Sequence, residues 1–109
     1  MRGFTSLNTA NGDVNLGDLE FIPAGHRVGI KAADSVETAV LNVQVAGLNV
    51  FSGTLPVEPS TNGVYAWTNL LTTFVVKDRS QMRVTLSGTL AGCRVDIIVL
   101  APGEPAPWD

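Results

Sequence analysis

Few side chains in this chain could carry out catalysis. His26 is the single histidine among the 109 residues, and Cys93 is the single cysteine. A histidine acting as general base needs an acid to orient it and a nucleophile beside it, and no Gly-x-Ser-x-Gly motif occurs. We therefore interpret His26 as a surface or strand-edge residue. The sequence predicts that the protein is not an enzyme and needs no cofactor.

Cys93 opens a segment in which apolar and polar residues alternate. Three aliphatic residues follow it at every second position: Val95, Ile97 and Val99. Arg94 and Asp96 occupy the positions between them, so the thiol shares a face with the aliphatic side chains. This pattern predicts a buried thiol whose pKa is raised and which acts as a small apolar residue. A single cysteine forms no internal disulfide.

One segment, 11–18, has the composition of a metal-binding loop. It contains four oxygen-bearing side chains: Asn11, Asp13, Asn15 and Asp18. The segment lacks the closing Glu and the residue order of an EF-hand, and Asn, Asp and Gly are also the usual residues of turns. A cupin-type metal centre needs several histidines. We interpret the segment as a turn and predict no metal site, with calcium binding as the alternative.

The charge distribution argues against nucleic-acid and membrane partners. The formal net charge is −3, and the seven Lys and Arg residues are scattered. Their densest group is Lys77, Arg79 and Arg83, which Asp78 interrupts. No uninterrupted apolar stretch approaches the roughly 18 residues of a membrane span, and the N-terminal residues lack the apolar region of a signal peptide. The sequence therefore predicts neither partner.

Two aromatic residues stand close together in a short predicted strand. Tyr65 and Trp67 lie on the same face of the segment 64–68, with Asn62 and Asn69 beside it. Exposed aromatic side chains flanked by amides can form a platform for a sugar ring. Large aromatic residues are also typical of cores and subunit contacts. Both interpretations stay open for this pair.

The elements that position these residues are strands almost throughout. Alternation and turn residues predict strands over 18–22, 25–33, 37–46, 48–55, 64–68, 69–76, 81–87 and 93–100. Gly88 and Gly92 bracket the last connection, which predicts a hairpin of the last two strands. The expected fold is an all-β antiparallel sandwich, jelly-roll-like, with seven to eight strands and extended terminal arms. Its parts are an N-terminal arm (1–17), the sandwich domain (18–100) and a proline-rich C-terminal tail (101–109).

Several features indicate surfaces that are covered. Charged residues make up only 16% of the chain, and Ile98 and Leu100 give the last strand a second apolar face. A second apolar face indicates a partner or a covering arm. Isolated apolar residues on the two arms, Phe4, Leu7 and Trp108, suit docking onto a neighbour. These five residues form the predicted partner-binding set.

The combination of polar arm, strand-rich domain and proline-rich tail resembles the small capsid decoration, or cement, proteins of tailed bacteriophages and, more broadly, viral single jelly-roll proteins. The resemblance implies a virion protein on the outer capsid surface. Such a protein would bridge major capsid protein subunits and stabilise the shell, as a homo-oligomer, a dimer or a trimer. The alternative function is a carbohydrate-binding or adhesin-type sandwich module that uses Tyr65 and Trp67.

Overall fold

The computed structural model describes residues 2–34, 39–55, 70–88, 90 and 92–108. These residues form nine β-strands and one turn of 3₁₀ helix at Gly17–Glu20. The strands are β1 (Arg2–Asn8), β2 (Gly12–Asp13), β3 (Phe21–Ile22), β4 (Arg27–Ala33), β5 (Ala39–Val45), β6 (Leu48–Thr54), β7 (Thr72–Val75), β8 (Ser80–Gly88) and β9 (Cys93–Leu100). Within these ranges, no helix has the length and hydropathy of a membrane span.

The strands form two antiparallel sheets that pack face to face. Sheet A has the order β1-β9-β4-β7, and sheet B has the order β2-β8-β5-β6, with β3 paired to β8. Apart from β3, each strand of the first half pairs with the corresponding strand of the second half. The pairs are β1 with β9, β2 with β8, β4 with β7 and, at the centre, the hairpin of β5 and β6. A long hairpin rolled into two facing sheets in this way is a jelly roll. The predicted all-β antiparallel sandwich is confirmed.

The main core lies between the two sheets and follows the predicted alternation. On β5, Leu41 and Val43 are buried, whereas Asn42 and Gln44 are only half-buried on the opposite face. On the paired strand β8 the buried residues are Met82, Val84 and Leu86. Sheet A contributes the row that begins at Cys93: Cys93, Val95, Ile97 and Val99. Because side chains alternate across a strand, each sheet supplies one apolar face to this core.

The central hairpin is closed by a two-residue turn at Ala46 and Gly47. Both residues have positive φ angles, 52° and 80°, and the flanking pair is Val45 with Leu48. Positive φ at both central positions is the geometry of a type I′ turn, whose twist matches that of the flanking strands. The predicted strands 37–46 and 48–55 are therefore joined by a tight turn.

The hairpin predicted between the last two strands is wrong. β8 belongs to sheet B and pairs with β5, whereas β9 belongs to sheet A and lies between β1 and β4. The connection after Gly88 therefore crosses from one sheet to the other. Both strands bury one apolar face, but alternation reveals only that a face is buried and not which sheet the strand joins.

The segment 1–17 differs from the extended arm that the sequence predicted. Arg2–Asn8 is strand β1, which pairs along its whole length with β9 and forms one edge of sheet A. Gly12–Asp13 pairs with β8 as β2. β1 pairs with β9 from Arg2 to Asn8, and Phe4 is its apolar contact with the main core, so the segment shows little apolar alternation. Strands within the sandwich thus begin well before residue 18.

Candidate functional site

The outer face of sheet A carries the second apolar surface. Register places Ile98 between Gly3 on β1 and Gly29 on β4. In the next row along β9, Leu100 lies beside Arg27 of β4. These side chains point away from the main core and form a separate apolar cluster with the chain's own C-terminal residues.

The C-terminal segment 101–108 folds back over this surface. Its first residues form a turn in which the Glu104 amide donates to the Ala101 carbonyl oxygen at 3.0 Å. Ala106 is buried against the cluster, and Trp108 packs on it. The Arg27 guanidinium carbon lies 5.5 Å from the centroid of the Trp108 ring, within the range of a cation–π contact. The tail is therefore anchored on its own sheet.

This tail changes the role expected for three residues of the predicted partner-binding set. Ile98 is 4% exposed and Leu100 is fully buried. Trp108 is half-buried on the same cluster. The sequence allowed either a partner or a covering arm over the second apolar face. In the structure this face is covered by the C-terminal segment of the chain itself. These three side chains are not open to a partner while the tail is docked.

The other two members of the set lie on opposite faces of β1. Phe4 is half-buried and packs against the main core, in register with Ile97. Leu7 points outward beside Arg94 and is 61% exposed. The structure therefore does not bring the five predicted residues together into one surface. Leu7 alone among them is open to solvent.

Two edge strands carry exposed aliphatic residues that the predicted set does not contain. Leu48 on β6 is 72% exposed and Val75 on β7 is 63% exposed. Val50 on β6 is exposed as well, and β6 contacts β7 where the two sheets meet. We call these residues the β6–β7 edge. The adjacent Val75 and Val76 could have indicated an exposed valine, because only one of two neighbouring residues on a strand faces the core.

Buried charges lie in the centre of the outer face of sheet A. Asp96 is buried, and its carboxylate accepts hydrogen bonds from the Thr5 hydroxyl at 2.7 Å and from Arg94 Nε at 3.1 Å. Lys31, also buried, is its register partner on β4. Buried charges persist where they are paired and hydrogen-bonded. The Thr5–Asp96 hydrogen bond joins β1 to β9, and Lys31 lies in register with Asp96 on β4.

Cys93 and His26 lie where the sequence predicted them. The Cys93 thiol is buried, and burial together with the nearby Asp34 carboxylate raises its pKa to about 12. At neutral pH the thiolate is therefore almost absent. His26 immediately precedes β4, and its Nδ1 lies 3.2 Å from the Ala24 carbonyl oxygen in an exposed position.

The oxygen-rich segment 11–18 uses its side chains for turns and pairing. The Asp13 carboxylate accepts hydrogen bonds from Arg83 and from Thr85, which lower its pKa. The Asn15 side-chain oxygen accepts from the Gly17 amide at 3.1 Å. Across the described ranges, no group of three His, Cys, Asp or Glu residues could hold a metal ion.

The predicted aromatic platform of Tyr65 and Trp67 lies outside the described residues. Comparisons of the chain with protein-family models, curated proteins and solved structures give no match.

Proposed function

We propose that the protein is a virion structural protein that decorates the outside of a phage capsid and bridges major capsid protein subunits. The jelly-roll fold limits the classes of function to consider, because it is typical of viral capsid domains, lectin domains and cupins. A cupin centre needs several histidines, and this chain contains one, His26. An assembly protein and a glycan-binding module are the classes that fit.

The observation that carries the proposal is the exposure of aliphatic side chains on edge strands. Leu7 lies on β1, at one edge of sheet A, and the β6–β7 edge lies on the other side of the sandwich. Edge strands that expose apolar side chains promote association, and natural proteins blunt them with charge or cover them.

Stabilisation of the shell follows from mass action. A protein that binds only the assembled lattice lowers the free energy of that lattice by the binding energy. Each edge contact is small, but a subunit that contacts two neighbours at once gains from effective concentration. Two separate apolar edges suit such bridging better than a single large patch. A homo-oligomer, dimer or trimer, adds further contacts of the same kind.

The proposal is tested first on the native protein. Material from its source is sedimented through a sucrose gradient, and each fraction is identified by mass spectrometry. We expect the chain to migrate with a large particle in many copies. Migration only as a small free species would contradict the proposal.

A second experiment identifies the contact surface. Purified Leu48→Lys and Val75→Lys variants are added to particles from which the native protein has been removed, and bound protein is measured after pelleting. Matched controls are Ser52→Lys and Thr73→Lys, because these exposed polar residues lie on the same two strands. We expect Leu48→Lys and Val75→Lys to bind the particles at least tenfold more weakly than the native protein, and the two controls to bind as the native protein does. Equal binding by all four variants would exclude the β6–β7 edge as the contact surface.

A further inference from the structure

We propose that the outer face of sheet B is a binding site for a short, neutral oligosaccharide. The residues of this site lie on the other sheet from Leu7 and the docked tail, although Asn49 lies between Leu48 and Val50 of the β6–β7 edge. Sugar binding goes beyond the proposed decoration role. The site also differs from the predicted platform of Tyr65 and Trp67. The site consists of a groove and a set of paired polar side chains.

The groove is open and has a volume of about 770 Å³. Its walls come from the segment 13–17, from the β5–β6 turn at Ala46 and Gly47, and from the start of β8. Small-ligand sites have volumes of roughly 300–1,000 Å³. The groove therefore has room for a short chain of sugar rings and remains accessible at the surface of the sandwich.

The first polar group in the groove is an ion pair with a shared hydroxyl. Arg83 Nε and Nη2 donate to the two oxygens of the Asp13 carboxylate, each at 3.0 Å. The Thr85 hydroxyl donates to the same carboxylate at 3.0 Å. Arg83 has five N–H donors, and two of them serve this contact. The pair is thus held in a fixed geometry and retains donors that face solvent.

Two further pairs place side-chain amides along the same face. Gln81 Nε2 donates to the Glu20 carboxylate at 2.9 Å, and Gln44 Nε2 donates to Asn49 Oδ1 at 3.1 Å. Register places Gln44 directly beside Arg83. Each amide keeps its carbonyl oxygen and one N–H for a ligand. Planar donors and acceptors fixed in this way match the adjacent hydroxyl groups of a pyranose ring.

An unsatisfied acceptor lies on the same face of β5. Asn42 Oδ1 is buried and has no hydrogen-bond partner. Asn42 is two residues from Gln44, so the two side chains share a face, and its register partner is Thr85. This oxygen has almost no accessible surface and Asn42 does not line the groove, so it supplies no contact to a ligand that binds there.

Charge selects the class of ligand. The Arg83 charge is balanced by Asp13, which leaves Glu20 as the uncompensated charge of the lining. An anionic sugar, a phosphate or a nucleic acid would be repelled. The apolar lining residues Val14 and Met82 are buried, so an apolar peptide side chain finds little surface here. A neutral, hydroxyl-rich ligand fits these properties.

Saturation-transfer NMR with the full chain tests the proposal. The probes are neutral oligosaccharides of glucose, galactose, mannose and N-acetylglucosamine, with a sulfated oligosaccharide as the anionic comparison. We expect at least one neutral probe to bind and the sulfated one not to bind. Gln44→Ala and Gln81→Ala should each weaken binding at least tenfold, and Thr73→Ala on sheet A should leave it unchanged.

Three outcomes would overturn the proposal. One is the absence of binding by every neutral probe. Another is binding that both glutamine variants retain. The third is binding lost in Trp67→Ala but kept in Gln44→Ala and Gln81→Ala, which would place the sugar on the aromatic residues instead. Particle binding of the glutamine variants, measured in parallel, reports on the decoration role separately.

Discussion

The indole ring of Trp108 fills the space that a side chain at Gly29 would need. A Cβ atom at position 29 would lie 2.6 Å from two ring carbons, Cη2 and Cζ3. Real Cβ atoms do not approach other atoms so closely, so the ring and a side chain at position 29 exclude one another. The glycine of β4 is therefore part of the tail's docking site.

We expect Gly29→Ala to displace the Trp108 ring and to lower the free energy of unfolding by about 1–3 kcal/mol, the usual cost of overpacking. Gly3→Ala is the matched control, because Gly3 flanks Ile98 on the other side and has nothing within 4 Å of its Cβ position. Thermal unfolding and the NMR shift of the Trp108 indole N–H measure the two effects. An unchanged indole shift in Gly29→Ala would refute the docked tail.

Loss of the ring itself should expose the surface beneath it. We expect Trp108→Ala to keep the jelly roll, because the main core lies on the other side of sheet A, and to cost about 1–3 kcal/mol of stability. Ile98 then becomes accessible, so binding of an apolar fluorescent dye should increase. Trp108→Phe, which keeps a ring, is the control. Equal dye binding by native protein and Trp108→Ala would show that the tail does not cover Ile98.

Cys93 should be inert in the folded protein. Since burial raises its pKa to about 12, we expect no reaction with a disulfide reagent near pH 8 and complete reaction in urea. Rapid reaction without denaturant would show that the thiol is accessible.

The same shift predicts a dependence of stability on alkaline pH. The thiol ionises near its ordinary value of 9.0 in the unfolded chain and near 12 in the folded protein. Its contribution to stability is complete below pH 9 and decreases between those values, by at most about 1.4 kcal/mol per pH unit. Urea unfolding from about pH 8 to pH 11 should show this slope. The free energy of unfolding of Cys93→Ala should decrease less steeply with pH than that of the native protein. Identical slopes for the two proteins would contradict the prediction.

Asp96 should be the most sensitive charged residue of sheet A. Asp96→Ala removes the negative charge opposite Lys31 and the acceptor of Thr5 and Arg94, and breaking such a buried group costs about 3–5 kcal/mol. Asp96→Asn keeps an acceptor and should cost less. Asp78→Ala, in an exposed turn, should change stability by less than about 0.5 kcal/mol. Urea unfolding measures the free energy of unfolding of the three variants. A small decrease for Asp96→Ala would mean that the buried charged group contributes little to stability.

Local pattern predicted the all-β fold and most of its longer strands, but it missed β1 and β2, and most of the predicted strand 18–22 is the 3₁₀ turn Gly17–Glu20. The alternation in β5, β8 and β9 identified which side chains of these strands lie in the main core. The pairing of β8 with β5 was not predictable in the same way, because it depends on contacts between segments far apart in the chain. Neighbours in sequence were therefore assigned to a hairpin that the fold does not contain.

The surfaces were harder to predict than the core. The sequence indicated that Ile98 and Leu100 needed cover, and both were assigned to the predicted partner-binding set, with a covering arm as the alternative. A pattern does not reveal what lies over a face. The Trp108 ring can dock only because Gly29 has no side chain. The sequence shows a glycine at this position but not that an indole ring packs against it. The groove on sheet B joins side chains from β2, β5 and β8, and no spacing in the sequence links them.

The pairing of β1 with β9 also determines when the fold can be completed. Thr5 and Asp96, which share a hydrogen bond, are 91 positions apart in the chain. During synthesis, β1 is made long before its partner strand β9, so sheet A closes only after β9 has emerged from the ribosome. Folding dominated by such distant contacts takes on the order of milliseconds to seconds. Until then the nascent chain exposes its apolar strands, and chaperone capture competes with folding.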